Sequence, residues 1–167
     1  MERRALVRLP WNPFVCGILD VFTDERNLYM LLEFGALGTL KNVMDKKFHG
    51  RMPLSAARFY FSNLFLAIEF IHSHGIIHHD IKPDNLIIGE DGYLMLADFG
   101  LATNDKNVAQ WDVLGTRDWL SPEAAEARVE HRTRFLPDWW AATIVLYEMV
   151  TAGMVRLRSV HSKIGAI

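Results

Sequence analysis

Apolar residues in this chain come in short runs separated by polar turns, and the length and spacing of each run predict an element. Glu2–Leu9 puts Leu6 and Leu9 on one face and stops at Pro10, which predicts the end of a helix. Phe14–Phe22 and Leu28–Phe34 are rich in β formers, and the polar stretch Thr23–Asn27 between them predicts a hairpin. Gly35–Gly38 (GALG) reads as a flexible link, followed by a short helix over Thr39–Lys47. Pro53-Leu54-Ser55 opens the longest helix, which runs through Ser73. Phe61, Leu64, Phe65, Ile68 and Ile71 recur along it at the spacing of a core helix. Two very short apolar runs follow, Leu86–Ile88 and Tyr93–Ala97, and the turn signal Gly89–Gly92 joins them into a predicted hairpin. Asn104–Gly115 has loop composition, and Asp138–Ala152 is a second strongly apolar helix. No internal repeat or low-complexity tract interrupts the pattern.

Composition narrows the class without changing these elements. At 167 residues, half of them hydrophobic and with a net charge of −2, the chain suits one domain with a sizeable core. Its lack of basic excess argues against a nucleic-acid partner. The single cysteine, Cys16, can form no internal disulfide and sits in an apolar run, so it reads as a small buried hydrophobe in a reducing compartment. Met1-Glu2-Arg3-Arg4 begins with charge and no apolar run follows, which predicts no secretory signal. The greasy run Trp139–Leu146, with Glu148 just beyond it, is too short to span a bilayer. The expectation is an intracellular protein, in cytoplasm or nucleus, with no membrane partner.

Chemistry concentrates between Gly75 and Ala102, GIIHHDIKPDNLIIGEDGYLMLADFGLA. Asp80, Lys82 and Asn85 fall on one loop before the predicted hairpin, and Asp98 falls immediately after its second strand, so the hairpin can bring all four into one pocket. Two carboxylates and an amide oxygen offer hard ligands for Mg²⁺, and the lysine offers a point charge for phosphate. Such a set is suited to phosphoryl transfer. His72, His74, His78 and His79 invite a metal-site reading instead, but no spacing such as H-E-x-x-H occurs.

The same stretch resembles the catalytic core of eukaryotic-type protein kinases. HHDIKPDN stands where that family has H-R-D-L-K-x-x-N, and Asp98-Phe99-Gly100 stands as D-F-G. Ser121-Pro122-Glu123 follows as A-P-E, and then Asp138-Trp139-Trp140. ARFYFSNLFLAIEFIH, GTRDWLSPE and PDWW look most like the AGC group, relatives of cyclic-AMP-dependent protein kinase. DIKPDN and Thr116 after Gly115 are marks of Ser/Thr kinases. The resemblance implies an α+β, protein-kinase-like fold in partial form. It would comprise a small-lobe remnant (1–34: the end of helix C and strands 4–5) and a helical large lobe through helix F (35–153), with 154–167 a divergent tail.

It also implies ATP and Mg²⁺ as cofactors and a protein Ser or Thr hydroxyl as acceptor. In it Asp80 would orient or accept the substrate proton, Lys82 would neutralise the moving phosphoryl group, and Asn85 with Asp98 would hold Mg²⁺. Ile87 would lie under the adenine, Leu32 resembles the gatekeeper, and the backbone of Glu33 and Gly35 would face the adenine edge. His78 would pack against Phe99, and Asp138 would hydrogen-bond the catalytic-loop backbone or simply cap its helix. Asp112, Thr116 and Glu123 would belong to the activation segment. Asp84 and Asp118 hint at basic residues in the substrate, although Thr39 stands where such kinases carry a glutamate. The basic cluster Arg128–Arg134 reads as a solvated loop.

Four departures accompany the resemblance. No glycine-rich loop or V-A-I-K lysine precedes the aligned region, and Glu2 stands near the helix-C glutamate without a lysine partner. The H-R-D arginine is His79. The position commonly phosphorylated in the AGC group is Asp112, which suggests a His79–Asp112 pair in place of arginine and phosphate. The aligned region ends after helix F, and Val155–Ile167 resembles nothing in the family. The expectation is a kinase core inactive on its own, or alternatively a non-catalytic, pseudokinase-like binding module; a glycine-rich strand pair and V-A-I-K lysine upstream in the same frame would favour the enzyme.

Overall fold

The longest helix contributes Ala57, Leu64, Ala67, Ile68 and Ile71 to the buried core. A computed structural model describes residues 9–104, 114–125 and 134–152, and the elements within them are as follows. A hairpin of β1 (Ile18–Thr23) and β2 (Leu28–Leu32) leads through a strap to α1 (Leu40–Phe48) and α2 (Leu54–Ser73). Then come β3 (Ile76–Ile77), β4 (Leu86–Ile88), β5 (Leu94–Leu96), β6 (Thr103–Asn104), the four-residue α3 (Pro122–Ala125) and α4 (Leu136–Thr151). The strands form three separate antiparallel pairs, β1–β2, β3–β6 and β4–β5. This mixed arrangement, a hairpin attached to a helical body with a second hairpin between, is the expected partial α+β fold.

Helix α2 buries Leu64, Ala67, Ile68 and Ile71 completely, against β5 on one side and α4 on the other. Its 20 residues are long and apolar enough to cross a membrane by length and composition, but here that apolar stripe forms the core. One expected core residue departs from the stripe. Phe65 is 40% exposed and lies against Trp139 with ring centroids 5.0 Å apart, so it seals the α2–α4 seam from outside, while the small Ala57 and Ala67 take interior places. At the other end of α4, Met149 accepts a hydrogen bond from Met52 N–H at 2.6 Å, tying the loop before α2 to that helix.

The expected strand Phe14–Phe22 is shorter and later than its composition suggests. Residues 13–14 form a turn, Phe14 N–H being held by the Asn12 side chain at 2.9 Å, and the regular strand begins at Ile18. Cys16 is buried, as expected. The loop at Asp24 is built by that carboxylate, which accepts N–H bonds from Arg26 and Asn27 at 2.8 and 2.7 Å. Leu19, Phe22, Tyr29 and Leu31 remain exposed on this hairpin.

Gly35–Gly38 is not a flexible link. Leu37 N–H donates to Ile88 O at 3.0 Å and Ile88 N–H donates to Gly38 O at 2.9 Å, so the strap is laced onto β4. Thr39 then caps α1, its hydroxyl accepting from Asn42 N–H at 3.2 Å. The predicted helix over Glu2–Leu9 up to residue 8, the acidic Asp112, most of the Arg128–Arg134 cluster and Val155–Ile167 lie outside the described residues. Arg134 itself sits over the Phe135 ring at 4.8 Å.

Candidate active site

Asp80 occupies the centre of a closed set of hydrogen bonds. Lys82 Nζ donates to its Oδ2 at 2.7 Å, and Asn85 Nδ2 donates to the same oxygen at 2.9 Å and to the Asp80 carbonyl at 2.8 Å. Its Oδ1 accepts the Thr116 hydroxyl at 2.6 Å and the Thr116 N–H at 3.0 Å. The Thr116 oxygen in turn accepts from Lys82 Nζ at 2.8 Å. Pro83–Asn85 makes this possible locally: a single 3₁₀ turn begun by proline folds Asn85 back onto Asp80. Burial works against the charge on Asp80, but Lys82, the Thr116 hydroxyl and Asn85 outweigh it and hold its pKa below the ordinary value.

Asp98 reaches this set through the β4–β5 hairpin. Ala97 N–H donates to Asn85 O at 2.9 Å, so Asp98 stands one residue from a direct contact with the catalytic-loop candidate. Its backbone is left-handed (φ 61°), a conformation uncommon outside glycine that aspartate tolerates better than most residues. One of its carboxylate oxygens accepts Gly100 N–H at 3.2 Å, and a Cβ at Gly100 would meet that oxygen at 3.1 Å. The side chain is exposed. Asn85 spends its amide nitrogen on Asp80, which leaves its oxygen without a protein partner among the described residues.

Those two donors fit a Mg²⁺ that keeps waters and phosphate oxygens in its other positions. Among the described residues no three His, Cys, Asp or Glu side chains converge as a metal site, so the histidine cluster is not one. Its members have other partners. His78 is fully buried, with Nε2 donating to Ala97 O at 3.1 Å, Nδ1 accepting Asp80 N–H at 3.3 Å, and its ring edge-on to Phe99 at 4.8 Å. His72 Nε2 lies 2.8 Å from Asp138 Oδ2. His74 folds back on the Phe70 carbonyl at 2.8 Å.

Asp138 is 1% exposed in the first turn of α4 and ties three segments together. Its Oδ2 accepts His78 N–H and its Oδ1 accepts His79 N–H, each at 2.9 Å, besides the contact to His72. Asp138 does not cap its own helix, whose N-cap is Phe135 without a side-chain hydrogen bond; it spends its oxygens on the loop backbone and His72. Burial opposes its ionisation, yet the His72 hydrogen bond and the neighbouring imidazoles hold its pKa low.

His79 Nε2 is 2.7 Å from the Thr103 hydroxyl, a partner that sequence spacing did not suggest; the proposed Asp112 partner lies outside the described residues. Burial drives the pKa of both His78 and His79 below the ordinary 6.5. The fold therefore favours neutral imidazoles, a contribution complete above about pH 6.5 and lost as pH falls below it. The lowered carboxylates Asp80 and Asp138 contribute at pH values above about 4 and are lost only in stronger acid. Melting temperature is expected to hold flat from about pH 8 to 7 and to drop from about pH 6.5 downward, before the carboxylates titrate. A melting temperature unchanged between about pH 7.5 and 5 would contradict neutral buried imidazoles.

The nucleotide-side candidates are arranged along the strap. Ile87 is half-buried on the face of β4 that carries Met95 opposite it, and the Gly35 backbone rests on its side chain, since a Cβ there would stand 2.7 Å from Ile87 Cβ. Gly35 N–H has no partner among the described residues. Glu33 is engaged differently: its N–H donates to Gly17 O at 3.0 Å and its carboxylate accepts Gly17 N–H at 2.7 Å. Leu32 packs against the core opposite Ile18. A cleft of about 610 Å³ behind Glu33 and Phe34, lined also by Leu19, Glu90, Asp91 and Met95, includes none of the loop residues around Asp80.

Glu123 falls in the first turn of α3, where Ser121 Oγ accepts Ala124 N–H at 3.3 Å. Sequence reasoning missed Glu148, on the buried side of α4. Burial raises its pKa, and the charges of Asp84 and Asp118 add to the rise against Lys41. The charges of Asp84 and Asp118 thus reach Glu148 from two distant segments. The signal for such a cluster, three acids in three distant segments, has no local pattern in the chain.

Comparison with known proteins adds an independent line. The protein kinase domain family matches residues 1–164, a span that runs past residue 153 into the segment set apart as a tail. The cAMP-dependent protein kinase catalytic subunit of Arthrobotrys oligospora is 35% identical over 149 residues, covering 89% of this chain and 27% of that protein. A Caenorhabditis briggsae protein, cAMP-dependent protein kinase, catalytic subunit-like, is 37% identical over 89% of this chain and 37% of its own length. Human Rho-associated protein kinase 1 is 36% identical over 89% of this chain and 11% of its own length. The chain therefore spans well under half the length of these curated relatives.

Proposed function

The chain belongs to the protein kinase family, and on that premise we propose that it carries the catalytic loop of an AGC-like serine/threonine protein kinase. The reaction is transfer of the ATP γ-phosphoryl group to a Ser or Thr hydroxyl of a protein. The observation that carries this reading is the closed set around Asp80: a carboxylate kept ionised and held by Lys82, Asn85 and Thr116, with Asp98 beside it.

Asp80 orients the acceptor hydroxyl and takes its proton, a task suited to a carboxylate whose two oxygens are fixed. Lys82 lies 2.7 Å from Asp80 and presents its charge at the point where the phosphoryl group moves. Asn85 through its unpartnered oxygen, and Asp98 through its exposed carboxylate, would hold Mg²⁺, which when bound neutralises charge on the phosphates. Gly35, with its free N–H, faces the adenine edge above Ile87, with Leu32 and the Glu33 carbonyl along the same wall. Phe99, the residue after Asp98, is fixed edge-on against the His78 ring. Asp112, Thr116 and Glu123 belong to the segment that receives the substrate. Asp84, Asp118 and Glu148 favour a substrate with basic residues beside the acceptor.

Mg²⁺-ATP at a hundredfold excess over Kd stabilises a binding-competent fold by about 2.7 kcal/mol, or roughly 5–10 °C in Tm for a chain of this size. Thermal melts of the wild type are expected to show that rise, and Asp98→Ala to abolish it. No shift at millimolar Mg²⁺-ATP would end the catalytic reading and leave a non-catalytic binding module in its place.

A further inference from the structure

We propose that His79 is a positioning residue that fastens both ends of the activation segment to the catalytic loop through neutral contacts, so that Asp80 stays in register without a phosphate on that segment. The inference rests on the phosphotransfer reading only for its kinetic consequence.

Four observations meet at this one residue. Its N–H is held by Asp138 Oδ1 at 2.9 Å. Its Nε2 lies 2.7 Å from the Thr103 hydroxyl, in β6, where the segment begins. Its carbonyl lies against Gly115, where the segment returns; a Cβ on Gly115 would sit 2.4 Å from that oxygen, and the glycine backbone is at φ 112°. The His79 backbone is itself left-handed, at φ 68°. A β-carbon-bearing residue persists in that conformation only when its surroundings determine it several times over, and here three separate segments do so.

The next residue on each side completes the arrangement. Asp80 follows His79, and Thr116 follows Gly115, and the two are joined by the 2.6 Å hydroxyl contact. Displacing Thr103 or Gly115 would therefore move His79 and carry Asp80 out of its contact with Thr116. The titratable groups acting on His79 are Asp138 from α4, His78 from its own loop and His72 from α2; neither arginine nor lysine is among them. Burial keeps the imidazole uncharged. A neutral ring bonded to a hydroxyl offers a phosphate no positive charge to pair with, and it needs none to hold its place.

Thr103→Val and Thr103→Ser in the full chain test the contact. Valine keeps the shape and strand preference of threonine and removes the hydroxyl. Amide hydrogen exchange at His79, Asp80 and Thr116 is expected to accelerate about fivefold in the valine variant, the equivalent of one typical hydrogen bond, and to return to wild type with serine. kcat should fall and recover in parallel, with KM for ATP unchanged. Exchange in Thr103→Val equal to wild type would overturn the proposal. So would faster exchange at His79 and Asp80 when phosphate is stripped from the wild-type protein. If no variant, nor the wild type, transfers phosphate, the catalytic reading fails, and the exchange data still decide the positioning role.

Discussion

Asp80→Asn is expected to lower phosphotransfer by at least about a hundredfold while leaving the Mg²⁺-ATP thermal shift in place. A positioned general base contributes roughly 10²–10⁴ in rate, and asparagine has the shape of aspartate without its charge or basicity. The structure adds a second penalty. All the groups facing the carboxylate donate to it: Lys82, Asn85, and the hydroxyl and N–H of Thr116. An asparagine must turn its own NH₂ toward one of these donors, leaving partly buried groups unpaired at a cost of about 1–3 kcal/mol. Initial-rate assays on a basic Ser-containing peptide, run beside thermal melts with and without nucleotide, separate the two effects. A variant that retained more than about a tenth of the wild-type rate would remove Asp80 from the role of base, because general-base losses are larger than that.

The largest stability effect is expected at Asp138. Removing one member of a buried, hydrogen-bonded charge network typically costs about 3–5 kcal/mol, and Asp138→Ala strips acceptors from His78 N–H, His79 N–H and His72 together. For a domain of ordinary stability, about 5–15 kcal/mol, that is a large fraction of the whole. Equilibrium urea unfolding would show the midpoint displaced at an unchanged slope. Asp138→Asn should fall between, since its single oxygen can serve one of the two loop amides while its NH₂ confronts the other. An unfolding free energy within about 1 kcal/mol of wild type for the alanine variant would mean that the loop does not depend on this carboxylate.

What the chain discloses by reading follows from how far apart the partners lie. Asp80, Lys82 and Asn85 meet because five residues and a proline-started turn join them, and the β4–β5 hairpin shows itself through its Gly89–Gly92 turn. The core stripe of α2 is legible because helical spacing is a local signal; Phe65 escapes it because one flank of that stripe faces Trp139 and solvent rather than the interior. The strap 35–38 looked loose because glycine permits freedom, and only the paired backbone of β4, some fifty residues on, removes it. For His79 the chain suggests Asp112 by charge, a residue outside the described ones; the β3–β6 pairing, which no local pattern announces, brings a threonine hydroxyl to its Nε2. The partners of Glu148 and His72 escape a reading of the chain for the same reason: each meets its neighbours across the helical layer rather than along the sequence.

The span between His78 and Asp138, 60 residues, also sets an order in time. A ribosome adding roughly 5–20 residues per second makes the loop at His78 several seconds before the carboxylate that will receive its amides. During that interval the N–H groups of His78 and His79 face water in place of the Asp138 carboxylate, and nothing holds the left-handed turn at His79. The shape that matters for chemistry therefore waits, as the nascent chain emerges, on a helix that contributes nothing to the reacting atoms.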